Sequence, residues 1–167
     1  METDDLTLFY RYNRWANARV LDACHALPTQ QLTAPAAVSF GSVLGNLAHV
    51  FSAEANWRRR LQLGISPNRM LTAEDFSSLE DLAIQWQSEE KAMQAYVESL
   101  DPEKLNQWVE YHTNSGALQG STLWRALMHV VFHGVQFRGE AGAALSVFQH
   151  SPGDLDFIQF LRETNQR

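Results

Sequence analysis

The segment TLWRALMHVVFHGVQFRGE, residues Thr122–Glu140, most restricts what this chain can fold into. At about 100° per residue its apolar side chains cover most of a helical circumference. Trp124, Leu127, Met128, Val130, Val131, Phe132 and Val135 make up that surface. Thr122, Arg125, His129, His133, Gln136 and Glu140 collect in a stripe about 60° wide by the same rotation. A helix apolar on most sides belongs inside a packed protein, so the polar stripe is expected to face an internal site. His129 and His133 stand one turn apart. Imidazoles at i and i+4 leave the same face of a helix, as a divalent metal site requires. The same pair also reads as two hydrogen-bonded core histidines, with Arg125 and Glu140 paired to other helices.

The remaining chain supplies partners for this helix. A helical period over about Asp4–Leu27 carries Leu6, Phe9, Tyr10, Ala16, Val20, Leu21 and Cys24, and Pro28 ends it. Asn13 and Asn17, one turn apart, either fasten neighbouring elements or line a pocket. Residues 28–41 read as a loop. A second helix follows over about Ser42–Leu63, with Ser42 as N-cap and Gly64 just past the end. Its apolar stripe is Val43, Leu47, Val50, Trp57 and Leu61, interrupted by Glu54. A buried carboxylate needs a partner, and Arg138 or a Trp indole N–H would serve. His49 lies off that stripe, on a face of small and polar residues with Ser42, Asn46, Ala53 and Asn56.

A third helix spans about Ser78–Leu100, opened by a capping box of Ser78 and Asp81. Leu79, Leu82, Trp86, Met93, Tyr96, Val97 and Leu100 face inward, while Gln85, Gln87, Glu89, Glu90, Lys91 and Gln94 read as solvated surface. Weak alternation over residues 108–112, followed by the turn signal TNSG at 113–116, predicts a short β-hairpin. The helix containing the histidine pair starts at Ser121 or Thr122 and runs to about Phe148. Its glycines 134, 139 and 142 predict close approach of another helix. A fifth helix is expected from the Ser151-Pro152-Gly153-Asp154 start signal. The pattern is all-α, an up-down four-helix bundle with an additional C-terminal helix, in one domain over residues 1–167. Bundle cores house sites built from facing helices, where His49 and the stripe would meet.

Composition removes other classes. The chain has 167 residues, 45% hydrophobic and 19% charged, with a net charge of −6 and pI near 5.4. The basic residues cluster only at Arg58-Arg59-Arg60, which complements a helix C-terminus and is no nucleic-acid footprint. No apolar run approaches the roughly 18 residues of a membrane span. The acidic N-terminus lacks signal-peptide order, so a cytoplasmic protein is expected. The single cysteine, Cys24, reads as a small buried hydrophobe.

Several motifs together resemble the DinB/YfiT-like family of metal-dependent enzymes over nearly the whole chain. These are Tyr12-Asn13-Arg14-Trp15-Ala16-Asn17; Phe40-Gly41-Ser42-Val43 with Leu47-Ala48-His49-Val50-Phe51, Ala53-Glu54 and Trp57; and His129-Val130-Val131-Phe132-His133-Gly134 with Arg138-Gly139. The resemblance implies a four-helix bundle with a fifth helix, a homodimer, and a nickel, zinc or similar divalent metal. It also implies a small-molecule substrate, with thiol-dependent S-transferases using low-molecular-weight thiols among the relatives. It places metal ligands at His49, His133 and position 137, which here is Phe137. The family's Asn is Phe132 and its Gln is Glu140. Three outcomes follow. His129 replaces the missing ligand, Glu140 or Gln136 completes a mixed nitrogen–oxygen site, or the site is a metal-free pocket. His129 lies about 6 Å along the helix axis from the level of His133. The functional expectation is a metal-dependent S-transferase or hydrolase, with Arg125 or Arg58 holding a substrate carboxylate. The alternative is a non-catalytic, small-ligand-binding or stress-associated bundle.

Overall fold

The computed structural model describes residues 2–165. The elements are α1 (Thr3–His25), α2 (Thr29–Thr33), α3 (Val43–Leu63), α4 (Leu79–Glu98), β1 (Trp108–His112), β2 (Leu118–Thr122), α5 (Leu123–Val147) and α6 (Phe157–Glu163). The four long helices form the bundle, α6 packs outside it, and β1 and β2 form the expected antiparallel hairpin, in register from Trp108↔Thr122 to His112↔Leu118. Two local expectations are corrected. The loop after α1 contains the short helix α2, which buries Leu32. The last helix begins at Phe157, capped by Asp156, whose side chain accepts from Gln159 N; the Ser151-Pro152-Gly153-Asp154 signal precedes it as irregular chain.

Helix directions follow from the side chains that meet. Tyr10 reaches Leu127 and Asn13 reaches Arg138, so α1 and α5 run the same way. His49 meets His133 and Asn46 meets Glu140, so α3 opposes α5. Trp86 reaches Glu54 and Tyr96 reaches Leu61, so α3 and α4 are parallel. The linker 64–78 therefore runs back along α3, fastened where Ser52 Oγ accepts from Leu71 N at 2.7 Å and Asn56 donates to Arg69 O at 3.0 Å.

The core has two apolar zones. One gathers Val20, Cys24, Val43, Leu47, Leu82, Trp86 and Leu145. The other gathers Leu6, Tyr10, Met93, Val97, Leu127, Val131 and Phe160. Between them lies a buried polar layer. Glu54 accepts from Asn13 Nδ2 at 2.7 Å, Asn17 Nδ2 at 3.2 Å and the Trp86 indole at 2.7 Å. Arg138 donates to Asn13 Oδ1 at 2.6 Å and Asn17 Oδ1 at 2.7 Å. Both partners expected for Glu54 are thus present, and the two asparagines fasten helices.

Glu89 and Glu90 are not the solvated surface expected of α4. Glu89 is buried in a two-pronged ion pair with Arg58, and Glu90 accepts from Asn17 Nδ2 at 2.8 Å. The reason is that α4 packs against both α1 and α3, so its inward arc is wider than a single apolar stripe. Of the three glycines in α5, Gly134 gives room to the Asn13 and Arg138 side chains and Gly142 abuts Pro152, while a Cβ on Gly139 would meet nothing. The tight approaches are made by side chains and the 152 turn rather than by a helix backbone.

Candidate functional site

The site begins at the start of α3. Ser42 Oγ accepts from Gly45 N at 3.0 Å and caps the helix. One turn on, Asn46 accepts from Phe40 N at 2.9 Å and donates to Glu140 at 3.0 Å and to the Phe137 carbonyl at 3.3 Å. Glu140 in turn accepts from Ser39 N and Oγ at 2.8 and 2.9 Å. These bonds pin the 39–41 segment to α3 and α5. They hold the Phe40 ring flat on His49, with centroids 3.6 Å apart and planes 18° from parallel.

His49 and His133 are both half-buried and point at one another, with Nε2 atoms 3.0 Å apart. Phe137 packs against both rings, at centroid distances of 4.7 and 4.6 Å. Burial pushes His49 down to about 4, partly opposed by the Glu140 carboxylate. Burial also pushes His133 down to about 4, reinforced by His49, His129 and Arg138. Both rings are therefore neutral near pH 7. One Nε2–H donates and the other Nε2 accepts, the arrangement open to two neutral imidazoles at this distance. Beside His49 a cleft of about 340 Å³ is lined by Phe40, Ser42, Met70, Leu71 and Thr72.

The other expected site residues divide. His129 is exposed, its ring edge-on to Trp57 at 5.2 Å and 5.6 Å from His133, with its pKa lowered by burial and then by Arg60. Gln136 is exposed, and the Glu140 carboxylate is held low by Ser39 and Asn46. Arg58 is committed to Glu89, and Arg125 is exposed over Trp124, so neither serves the His49–His133 pair.

A divalent metal tests this donor set. Nitrogens at about 2.0–2.1 Å from a tetrahedral ion stand about 3.3 Å apart, and the His49–His133 spacing is near that. A catalytic centre uses three protein ligands. The Phe137 ring offers no donor, the Glu140 oxygens already take three hydrogen bonds, and His129 lies beside a guanidinium. Among the described residues, no group of three or more His, Cys, Asp or Glu is placed to hold an ion. Neither Nδ1 of the pair has a protein partner among those residues, whereas metal-bound imidazoles are normally oriented through that nitrogen. A two-nitrogen half-site fits; the three-ligand centre does not.

Phe40 was not legible as a site residue. Phe40 reaches His49 only through the Ser39–Asn46–Glu140 bonds, which join distant parts of the chain.

A family model described as the DinB family matches residues 1–167. Protein DinB of Bacillus subtilis is 24% identical over 169 residues, covering 94% of this chain and 95% of the relative.

Proposed function

The chain belongs to the DinB family, and on that premise we propose that it is a small-molecule-binding bundle whose His49–His133 pair is a neutral imidazole recognition site. The observation that carries this reading is the Phe137 ring packed against both imidazoles, in the position where the resemblance expects a ligand. With the two Nε2 atoms bonded to each other, the pair leaves one Nδ1–H donor and one Nδ1 lone pair, and His49 and Phe40 line the cleft. Such a wall suits a small ligand with a planar apolar part and one polar group. The protein is read as a cytoplasmic homodimer, associating through the exposed Phe132 and Val135 on α5.

A second reading is favoured by the convergence of the two Nε2 atoms. In it, His49 and His133 hold a divalent metal such as nickel or zinc, and a low-molecular-weight thiol substrate supplies the missing ligand of an S-transferase. A metal of this kind lowers the pKa of a bound thiol.

Elemental analysis of purified protein, with His49→Ala and His133→Ala beside it, tests both. The first reading expects no stoichiometric metal in wild type. One equivalent of nickel or zinc, lost in both variants, would replace it with the second.

A further inference from the structure

The polar stripe does not end at the histidine pair. Beyond His133 the rings of His129, Trp57 and Tyr111 follow one another at centroid spacings of 5.6, 5.2 and 4.8 Å. At the far end stands Arg60, its guanidinium carbon 5.1 Å from the Trp57 ring and 5.6 Å from the Tyr111 ring. The hairpin fixes it there, because Nη2 donates to Asn114 Oδ1 at 2.6 Å.

Arg60 differs from the four arginines that stand in ion pairs. Arg19, Arg58, Arg69 and Arg138 each face a carboxylate, at Glu163, Glu89, Asp75 and Glu54. Among the described residues Arg60 faces none, and its Nε is buried without an acceptor. Burial lowers the Arg60 pKa, and among nearby charges only Tyr111 opposes that, which agrees with the missing counter-ion. A guanidinium carries five N–H donors in a fixed fork. Two aromatic rings and one amide hold this fork in place, and among the described residues its Nε meets no acceptor. The chain's net charge of −6 makes an unpaired, immobilised cation on this face more conspicuous.

We propose that Arg60, resting on Trp57 and Tyr111 at the far end of the polar stripe, is an anion site that takes the carboxylate of a small aromatic or otherwise planar acid. Trp57 and Tyr111 supply apolar surface for the planar part, and the guanidinium donates to the carboxylate in the planar geometry that arginine matches best. The inference goes beyond the reading of the His49–His133 pair as a ligand site: it places an acid's anionic group at the other end of the same stripe.

Benzoate and its neutral counterpart benzamide are the probes, followed by NMR at the Arg60 Nε–H and the Trp57 indole N–H. The histidine ring signals of residues 49 and 133 are read in the same spectra. Benzoate is expected to move the Arg60 and Trp57 signals saturably, and benzamide to bind about ten-fold or more weakly, the worth of one charge-assisted hydrogen bond. Arg60→Gln is expected to abolish the difference between the two probes. Arg60→Lys, which keeps the charge without the fork, is expected to retain part of it and guards against a folding defect in the first variant. Shifts at His49 and His133 that survive Arg60→Gln would overturn the anion subsite and leave the imidazole pair standing. Equal binding of the two probes, or no shift at Arg60 and Trp57, would also overturn it.

Discussion

Glu54 and Arg138 lie 3.9 Å apart in the centre of the bundle, both almost completely shielded from solvent, and the same two asparagines bridge them. Asn13 and Asn17 each donate through Nδ2 to Glu54 and accept through Oδ1 from Arg138. Three helices, α1, α3 and α5, are thereby tied at one level, and Trp86 adds α4. The layer fixes the height of α3 against α5, which sets His49 opposite His133. Removing one member of such a buried charge pair leaves the other uncompensated and costs about 3–5 kcal/mol. Arg138→Met is expected to lose stability on that scale in chemical denaturation. A loss below about 1 kcal/mol, the ordinary size of a point substitution, would show the layer to be dispensable.

Glu90 extends this layer and gives it a pH dependence. Burial, and then the neighbouring Glu54, push its carboxyl up to about 8. A carboxyl with a raised folded pKa contributes stability that is present below its unfolded value and lost as pH rises toward the folded one. His49 and His133, pushed down to about 4, act in the opposite sense, but only below about 6.5, the unfolded value for histidine. Between pH 6.5 and 8 the carboxyl therefore dominates. Thermal midpoints of wild type are expected to fall across that window, and those of Glu90→Gln to stay level and lie higher at pH 8. Parallel curves for the two proteins would contradict the assignment.

The glycines of α5 separate helix propensity from packing. Alanine is favoured over glycine in a helix by about 1 kcal/mol. Gly139→Ala adds a methyl where nothing lies within 4 Å and is expected to stabilise by up to that amount. Gly134→Ala drives the same methyl into Asn13 and Arg138 and is expected to destabilise by about 1–3 kcal/mol, the usual cost of overpacking. Equal effects at both positions, read from denaturation midpoints, would mean that the polar layer yields without cost.

The sequence pattern carried the bundle well because long helices announce themselves through period, caps and punctuation. Ser42, Ser78 and Gly64 stand where the caps are. Glu54 was readable as a buried charge because it interrupts an apolar stripe, and its two partners were the right ones. The parallel course of α3 and α4 was not readable, since a 15-residue linker such as 64–78 reaches either end of the bundle. Glu89 and Glu90 resembled surface for a related reason. Periodicity identifies an apolar stripe, and a helix held between two neighbours also buries polar residues beside it. In the site, the bundle reading brought His49 to the α5 stripe, and the resemblance singled out His133 as its partner there. Phe40 entered only through contacts between segments far apart in the chain.

Phe137 is the hinge of the functional account, because it fills with carbon a place where a third nitrogen would complete a metal centre. The most direct test is calorimetric titration of nickel or zinc into wild type and Phe137→His, both first stripped of metal. Wild type is expected to bind at least about a hundred-fold more weakly than the variant, since a lost ligand or its support weakens metal sites by at least 10–100-fold. The variant is expected to take one equivalent, lost again on adding His49→Ala. Tight binding of one equivalent by wild type, unchanged by Phe137→His and abolished by His49→Ala or His133→Ala, would contradict the account.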